Sequence, residues 1–290
     1  YSSLNYKDAL SATGNPGVSR NFPHTPGIDA AGTVVSCDDN RFKEGDEVIV
    51  TGFDLGMNTS GGFGEYIRIP SEWAVAKPNG LTLRESMVIG TAGFTAGLSV
   101  QGLVEHYVTP EKGDVLVTGA TGGVGSVAVA LLAKAGYSVV ACTGKKEHEA
   151  FLKALGASKV ITRDELLENK ERPMLKELYA GAIDTVGGEY LAQAIKATQY
   201  GGTVTCCGLT ASAELNVSVF PFILRGLSLL GIDSVQCPMP PRLRLWDKLA
   251  SEWKLDCLDE LTQEISLGDI STKIDAILNG QVTGRTLVKL

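Results

Sequence analysis

Short apolar runs broken by Gly, Pro and Asp dominate the opening part of the chain, and a helical period is mostly absent from it. Ala31 to Val35, Gly45 to Val50 and Gly64 to Ile69 each read as a strand bounded by turn signals, which predicts a β-rich, barrel-like domain over residues 1–89. The pattern changes after Met87. Gly93 to Gly102 reads as a helix, and from Asp114 onward strand-like and helix-like segments alternate, the signature of βαβ units around a parallel sheet. The strand candidates are Val115 to Thr118, Ser138 to Cys142, Lys159 to Ile161, Ala182 to Val186, Thr203 to Cys207 and Leu227 to Ile232. Helices are expected at Val124 to Ala135, His148 to Leu155, Tyr190 to Thr198 and Pro221 to Arg225. Six strands suit a doubly wound sheet over residues 90–240. Residues 241–290 then read as a helix from Trp246, a second near Asp275 to Leu278 and a closing strand, Arg285 to Leu290.

Composition narrows the function classes. With 290 residues the chain is long enough for two domains, and 44% hydrophobic, 20% charged residues is the profile of an ordinary α/β protein. A net charge of −7 gives no general attraction to phosphate backbones, so nucleic acid and anionic membranes are poor partners. No apolar run approaches the length of a membrane span. Six cysteines without C-x-x-C or framework spacing read as reduced thiols, hence a cytoplasmic protein. His24, His106 and His148 form no ligand spacing, and the vicinal pair Cys206-Cys207 reads as small side chains ending a core strand.

The strongest motif is Val115-Leu116-Val117-Thr118-Gly119-Ala120-Thr121-Gly122-Gly123-Val124-Gly125. Read as A-x-G-x-x-G from Ala120, it follows an apolar strand and opens an apolar helix, the context a dinucleotide fingerprint requires. Ala120 departs from the usual first glycine, yet a small residue still fits the turn. Thr121, Gly122, Gly123 and Val124 would receive the pyrophosphate, and Gly125 would let the helix pack close to the strand. The end of the second strand decides which dinucleotide binds. An NAD site expects an acid there, whereas this chain runs Cys142-Thr143-Gly144-Lys145-Lys146, with no carboxylate before Glu147. Thr143, Gly144 and Lys145 suit the extra 2′-phosphate of NADPH, and Arg163 beyond the third strand could add a second cation.

These residues resemble a known family. Gly90-Thr91-Ala92-Gly93-Phe94-Thr95-Ala96, the glycine turn, Pro26-Gly27-Ile28-Asp29-Ala30-Ala31-Gly32 and Gly284-Arg285-Thr286-Leu287-Val288 are similar to motifs of the medium-chain dehydrogenase/reductase superfamily. Ser3 to Asp8 and Pro221 to Gly226 resemble its YhdH/YhfP-type branch of quinone oxidoreductases and NADPH-dependent acrylyl-CoA reductases. The resemblance implies an α/β architecture in which a Rossmann domain is inserted in a GroES-like catalytic domain. It also implies about 35 residues of opening strands ahead of the abrupt start at Tyr1. Where zinc-dependent relatives carry Cys, His and Cys ligands, this chain has Asn5, Ile28 and Ala92, none able to supply a thiolate or imidazole. The expected reaction is therefore zinc-independent: hydride passes from NADPH to the β-carbon of a short enoyl-CoA, or to a quinone. A nucleotide-binding protein without catalysis is the reading from another class.

By the same resemblance, Tyr6 and Asn5 lie where the family places its chemistry beside the nicotinamide. They are the candidate catalytic donors, and Tyr6 is also a cofactor contact. Asp8 reads as a structural acid. Leu209 and Ser234 are expected to line the nicotinamide side, and Arg285 to meet the cofactor phosphate or an acyl-CoA. The apolar edge Leu227 to Ile232 is expected to pair with its twin in a homodimer.

Overall fold

The structure, a computed structural model, describes residues Tyr1 to Leu290. It divides into two compact units, one of residues 1–94 with 234–290 and one of residues 95–233. The sequence reading set boundaries at 89/90 and 240/241; the helix expected from Gly93 runs across the first junction. That helix, Leu83–Glu105, begins ten residues before the expected start and kinks at Gly90, whose φ of 49° and ψ of −159° leave the helical region. Its length and mean hydropathy of 1.4 equal those of a membrane span, which corrects the sequence reading; 72% of the apolar window is nevertheless buried inside the protein.

Residues 95–233 form a six-stranded parallel sheet. Its strands are Val115–Val117, Val139–Thr143, Lys159–Thr162, Tyr179–Asp184, Thr198–Cys206 and Ser228–Gly231. They lie side by side in the order third, second, first, fourth, fifth, sixth, so the winding reverses between the first and the fourth. The first two strands are buried at every position, as apolar β-branched runs covered by helices on both faces must be. Helix Gly123–Lys134 buries every residue from Gly125 to Leu132. The strand Thr198–Cys206 starts five residues earlier than expected, because Gly201-Gly202 reads as a turn in sequence but here lies within the strand.

The other unit holds two small sheets. Asp29–Thr33, Glu47–Thr51 and Val75–Ala76 pair antiparallel in that order. In the second, the closing strand Arg285–Lys289 runs between Ser2–Leu4, antiparallel to it, and Thr262–Ser266, parallel to it. Gly64 to Ile69 is not a strand, since no neighbouring segment completes a ladder with it. A core of Leu4, Phe63, Ile265, Ile270 and Val288 closes the second sheet under helix Ile270–Leu278. Arg242 ties this unit together: fully buried, it donates to the carbonyls of Thr51, Ser234, Val235 and Cys237 and lies over the rings of Phe53 and Phe94.

Candidate active site

The glycine turn sits where the winding of the parallel sheet reverses. Gly122 caps helix Gly123–Lys134 with no side-chain hydrogen bond, so the N–H groups of the first turn have no partner within the helix and none from a capping side chain. The first backbone bond of the helix runs from Ser126 N–H to Gly122 O at 2.9 Å. Gly122, Gly123 and Val124 are half-exposed, whereas Thr121 is buried. A side chain on Gly125 would collide with the Gly119 carbonyl, so this glycine is what lets the helix start against the strand. Together these features form an anion cradle: free N–H donors at the positive end of a twelve-residue helix.

A second glycine turn, which sequence reasoning passed over, braces the first. Asp184 ends the fourth strand, accepts from the Thr118 hydroxyl at 2.6 Å and from the N–H groups of Val186 and Gly187 at 3.3 and 2.7 Å. Thr185 donates to Thr118 O at 2.9 Å. The signal was present as Asp184-Thr185-Val186-Gly187-Gly188 at a strand end, parallel to Thr118-Gly119 across the reversal. Burial raises the Asp184 carboxyl above its ordinary range, while the hydroxyl and the two N–H groups pull it down. Leu209 stands exposed on the loop after the fifth strand, in the same unit; Ser234 is buried in the other unit and its carbonyl is taken by Arg242.

At the end of the second strand the residues expected to meet a 2′-phosphate come together, with one change of role. Thr143 is buried and its hydroxyl accepts Lys145 N–H at 3.0 Å while sharing a hydrogen bond of 3.1 Å with Thr121. It ties the lysine turn to the glycine turn. Gly144 is exposed and Lys145 half-buried. Burial lowers the Lys145 ammonium from its ordinary value, Glu147 raises it and the neighbouring Arg163 lowers it. The Arg163 guanidinium lies directly over Gly144.

In the other unit Tyr6 and Asn5 open helix Tyr6–Ala12. Tyr6 is exposed, with its phenol outside any hydrogen bond of the chain. Asn5 is not an available donor. Its amide nitrogen is spent on Asp29 Oδ2 at 2.7 Å and Ser3 O at 3.3 Å, and its oxygen accepts from Arg285. Arg285 is corrected in the same way: it is buried, 2% exposed, and its fork donates inward to Val88 O at 2.9 Å, Asn5 Oδ1 at 3.2 Å and Ser3 Oγ at 3.0 Å rather than to an open surface. Asp29 completes the network by accepting from Ser3 Oγ, Asn5 and both the N–H and hydroxyl of Thr91. The kink at Gly90 exists for this cluster, because a Cβ there would stand 2.6 Å from both Asp29 Oδ2 and Ser3 Oγ. Burial lowers the Arg285 guanidinium, opposed by the attraction of Asp29 and Asp8.

Asp8 is a structural acid, accepting the N–H groups of Asn5 and Ile28 at 2.8 Å each. Burial first and the charge of Asp29 second push its carboxyl up from 3.8 to about 7. Because the folded value is the higher, the folded protein binds the proton more tightly. Its contribution to stability is thus full below the unfolded value and is lost as pH rises through about 7. Urea midpoints measured from about pH 4 to pH 8 should fall more steeply for the native chain than for Asp8→Asn. Equal slopes would place the raised carboxyl elsewhere.

Comparison with known proteins agrees with both halves of this architecture. Residues 1–79 match the alcohol dehydrogenase GroES-like domain and residues 123–249 the zinc-binding dehydrogenase model. YhfP of Bacillus subtilis, named for quinone oxidoreduction, is 49% identical over 100% of this chain and 88% of its own; its solved structure, with NAD bound, has a TM-score of 0.97. The chain belongs to the medium-chain dehydrogenase/reductase superfamily. It is an oxidoreductase of the YhfP/YhdH/AcuI group. Acrylyl-CoA reductase AcuI of Ruegeria pomeroyi is 46% identical over 99% of this chain and 87% of its own. The yhdH oxidoreductase of Salmonella enterica, solved in complex with NADP, is 48% identical with a TM-score of 0.97, covering 100% of this chain and 89% of that one.

Part of this superfamily is named for zinc, and the donor set here does not fit it. Asn5 is an amide locked to Asp29 and Arg285, while Ile28 and Ala92 are buried hydrocarbon side chains. A tetrahedral zinc site needs thiolate or imidazole at such positions.

Proposed function

We propose that this oxidoreductase is NADPH-dependent and delivers hydride to the β-carbon of a short α,β-unsaturated acyl-CoA of the acrylyl-CoA kind. The observation that carries the cofactor reading is the pair of cations, Lys145 and Arg163, gathered at Gly144 beyond the second strand, where an NAD site would present an acid. The free N–H groups at Gly123 and Val124 would hold the pyrophosphate, and Thr121 and Thr143 keep the two turns in register. NADPH, when bound, supplies the hydride. The acceptor reading rests on the named activity of AcuI and on acceptor chemistry. Hydride addition to an enoyl thioester leaves an enolate whose charge sits on the carbonyl oxygen, and one well-placed donor stabilises it without a metal. Tyr6, exposed and with a free phenol, is that donor; Asn5, Asp29 and Arg285 fix the backbone from which it projects. The protein acts in the cytoplasm, where its six cysteines, none of them in a disulfide, stay reduced.

Consumption of NADPH with acryloyl-CoA, crotonyl-CoA and a benzoquinone as acceptors tests the reading. Turnover of acryloyl-CoA is expected, with Tyr6→Phe lowering kcat about a hundredfold and leaving NADPH affinity in place. Quinone turnover alone, the activity for which YhfP is named, would replace the enoyl-CoA reading. Binding without consumption of any acceptor would leave a nucleotide-binding module.

We further propose that the protein is a homodimer. Strand Ser228–Gly231 is an edge of the parallel sheet, and the adjacent helix Phe220–Arg225 exposes Phe220, Ile223 and Leu224. An unpaired edge beside exposed apolar side chains is covered most simply by its own copy. Light scattering should give twice the chain mass of 30.6 kDa, and a monomer mass would remove the proposal.

A further inference from the structure

Arg163 is held in an unusual way for an exposed arginine. It starts helix Arg163–Leu166, whose cap is closed on both sides: Thr162 N–H donates to Glu165 Oε2 at 2.6 Å, and Glu165 N–H to Thr162 Oγ1 at 3.2 Å. Of the two acids on its own element, Asp164 and Glu165, the second is engaged by the cap, which lowers the Glu165 carboxyl from its ordinary range. Glu189, beside Tyr190 on helix Gly188–Ala197, is paired with Lys170 at 3.1 and 3.3 Å. No carboxylate forms an ion pair with Arg163.

Two other groups hold the guanidinium instead. Its Cζ lies 5.6 Å from the centre of the Tyr190 ring, a ring that is half-buried against the core beneath it. It also crosses the bare backbone of Gly144, where a Cβ would stand 2.7 Å from Nε and 2.8 Å from Cζ. A ring face attracts the cation without accepting from its N–H groups, whereas a carboxylate would neutralise the charge and occupy the fork. The arrangement orients Arg163 while keeping its donors open beside Lys145.

We propose that Tyr190 is a positioning residue for recognition of the 2′-phosphate of NADPH, holding the Arg163 guanidinium across Gly144 with its donors directed to the phosphate rather than to protein. This rests on the NADPH reading above, and adds that the discrimination between the two coenzymes depends on a residue that itself touches neither. Replacing the ring loosens Arg163 and weakens only the coenzyme that carries the extra phosphate.

Calorimetric titration of the full chain with NADPH, NADH, 2′,5′-ADP and 5′-AMP tests it. Tyr190→Leu should weaken NADPH and 2′,5′-ADP about three- to fivefold relative to NADH and 5′-AMP, while Tyr190→Phe, which keeps a ring face, should retain the native ratio. Gly144→Ala should reduce the same ratio by displacing Arg163, and Tyr190→Leu should add nothing in an Arg163→Leu background. An equal loss for all four ligands, or none, would make Tyr190 merely structural and overturn the proposal. Failure of the native chain to bind NADPH or 2′,5′-ADP would instead remove the coenzyme reading on which the proposal stands.

Discussion

Arg285→Ala should be among the most destabilising single substitutions in the protein, at about 3–5 kcal/mol, read from urea unfolding at neutral pH. The guanidinium is the one cation inside a cluster holding Asp8 and Asp29, and it donates to two separate segments at once, to Val88 on one and to Ser3 and Asn5 on the other. Its removal leaves buried acid without compensation and several polar atoms without partners. Arg285→Lys should recover only part of the loss, because an ammonium cannot reproduce the planar fork. A loss below about 1 kcal/mol for the alanine variant would mean that water or a rearranged Asp29 replaces the guanidinium cheaply.

Lys145→Glu should weaken NADPH binding at least about a hundredfold and strengthen NADH, as measured by calorimetry. A charge-assisted hydrogen bond to the 2′-phosphate is lost and a repulsion put in its place, while the new carboxylate can accept from the free ribose hydroxyl of NADH. The substitution adds an acid where Cys142-Thr143-Gly144 now has none. Thr143 still caps the turn through the backbone N–H of residue 145, so the fold should be retained. Unchanged preference would show that the discriminating charge lies elsewhere than at this strand end.

The parts of the molecule legible in sequence are those whose cause is local. Strands such as Val139–Thr143 are apolar at each position because helices cover both faces, and the glycine turn announces itself because strand, turn and helix are contiguous. The misread elements depend on partners outside the window. Gly64 to Ile69 has strand composition without a ladder, and Gly90 looks like a stop although the helix resumes beyond it. The same division runs through the candidate site. Gly122, Lys145 and Arg163 were singled out by their places at the ends of the first three strands, and the coenzyme contacts proposed for them rest on that placement. Asn5, as a candidate catalytic donor, and Arg285, as a contact for the cofactor phosphate or an acyl-CoA, were assigned by family resemblance. Their true partners are each other and Asp29, which only the folded chain brings within reach. Gly144 was singled out for the 2′-phosphate, yet what the structure requires of it is the missing side chain under Arg163.

The closing strand Arg285–Lys289 is threaded between Ser2–Leu4 and Thr262–Ser266, so one small sheet needs the first residues and the last. During synthesis the parallel sheet of residues 95–233 has all six of its strands well before that pairing can occur. Ser2–Leu4 must then wait, without its antiparallel partner, until Arg285–Lys289 has been made. A nascent chain stalled before residue 285 would carry a finished nucleotide fold alongside a half-built partner, and that unfinished half is where chaperones and proteases would find their opening.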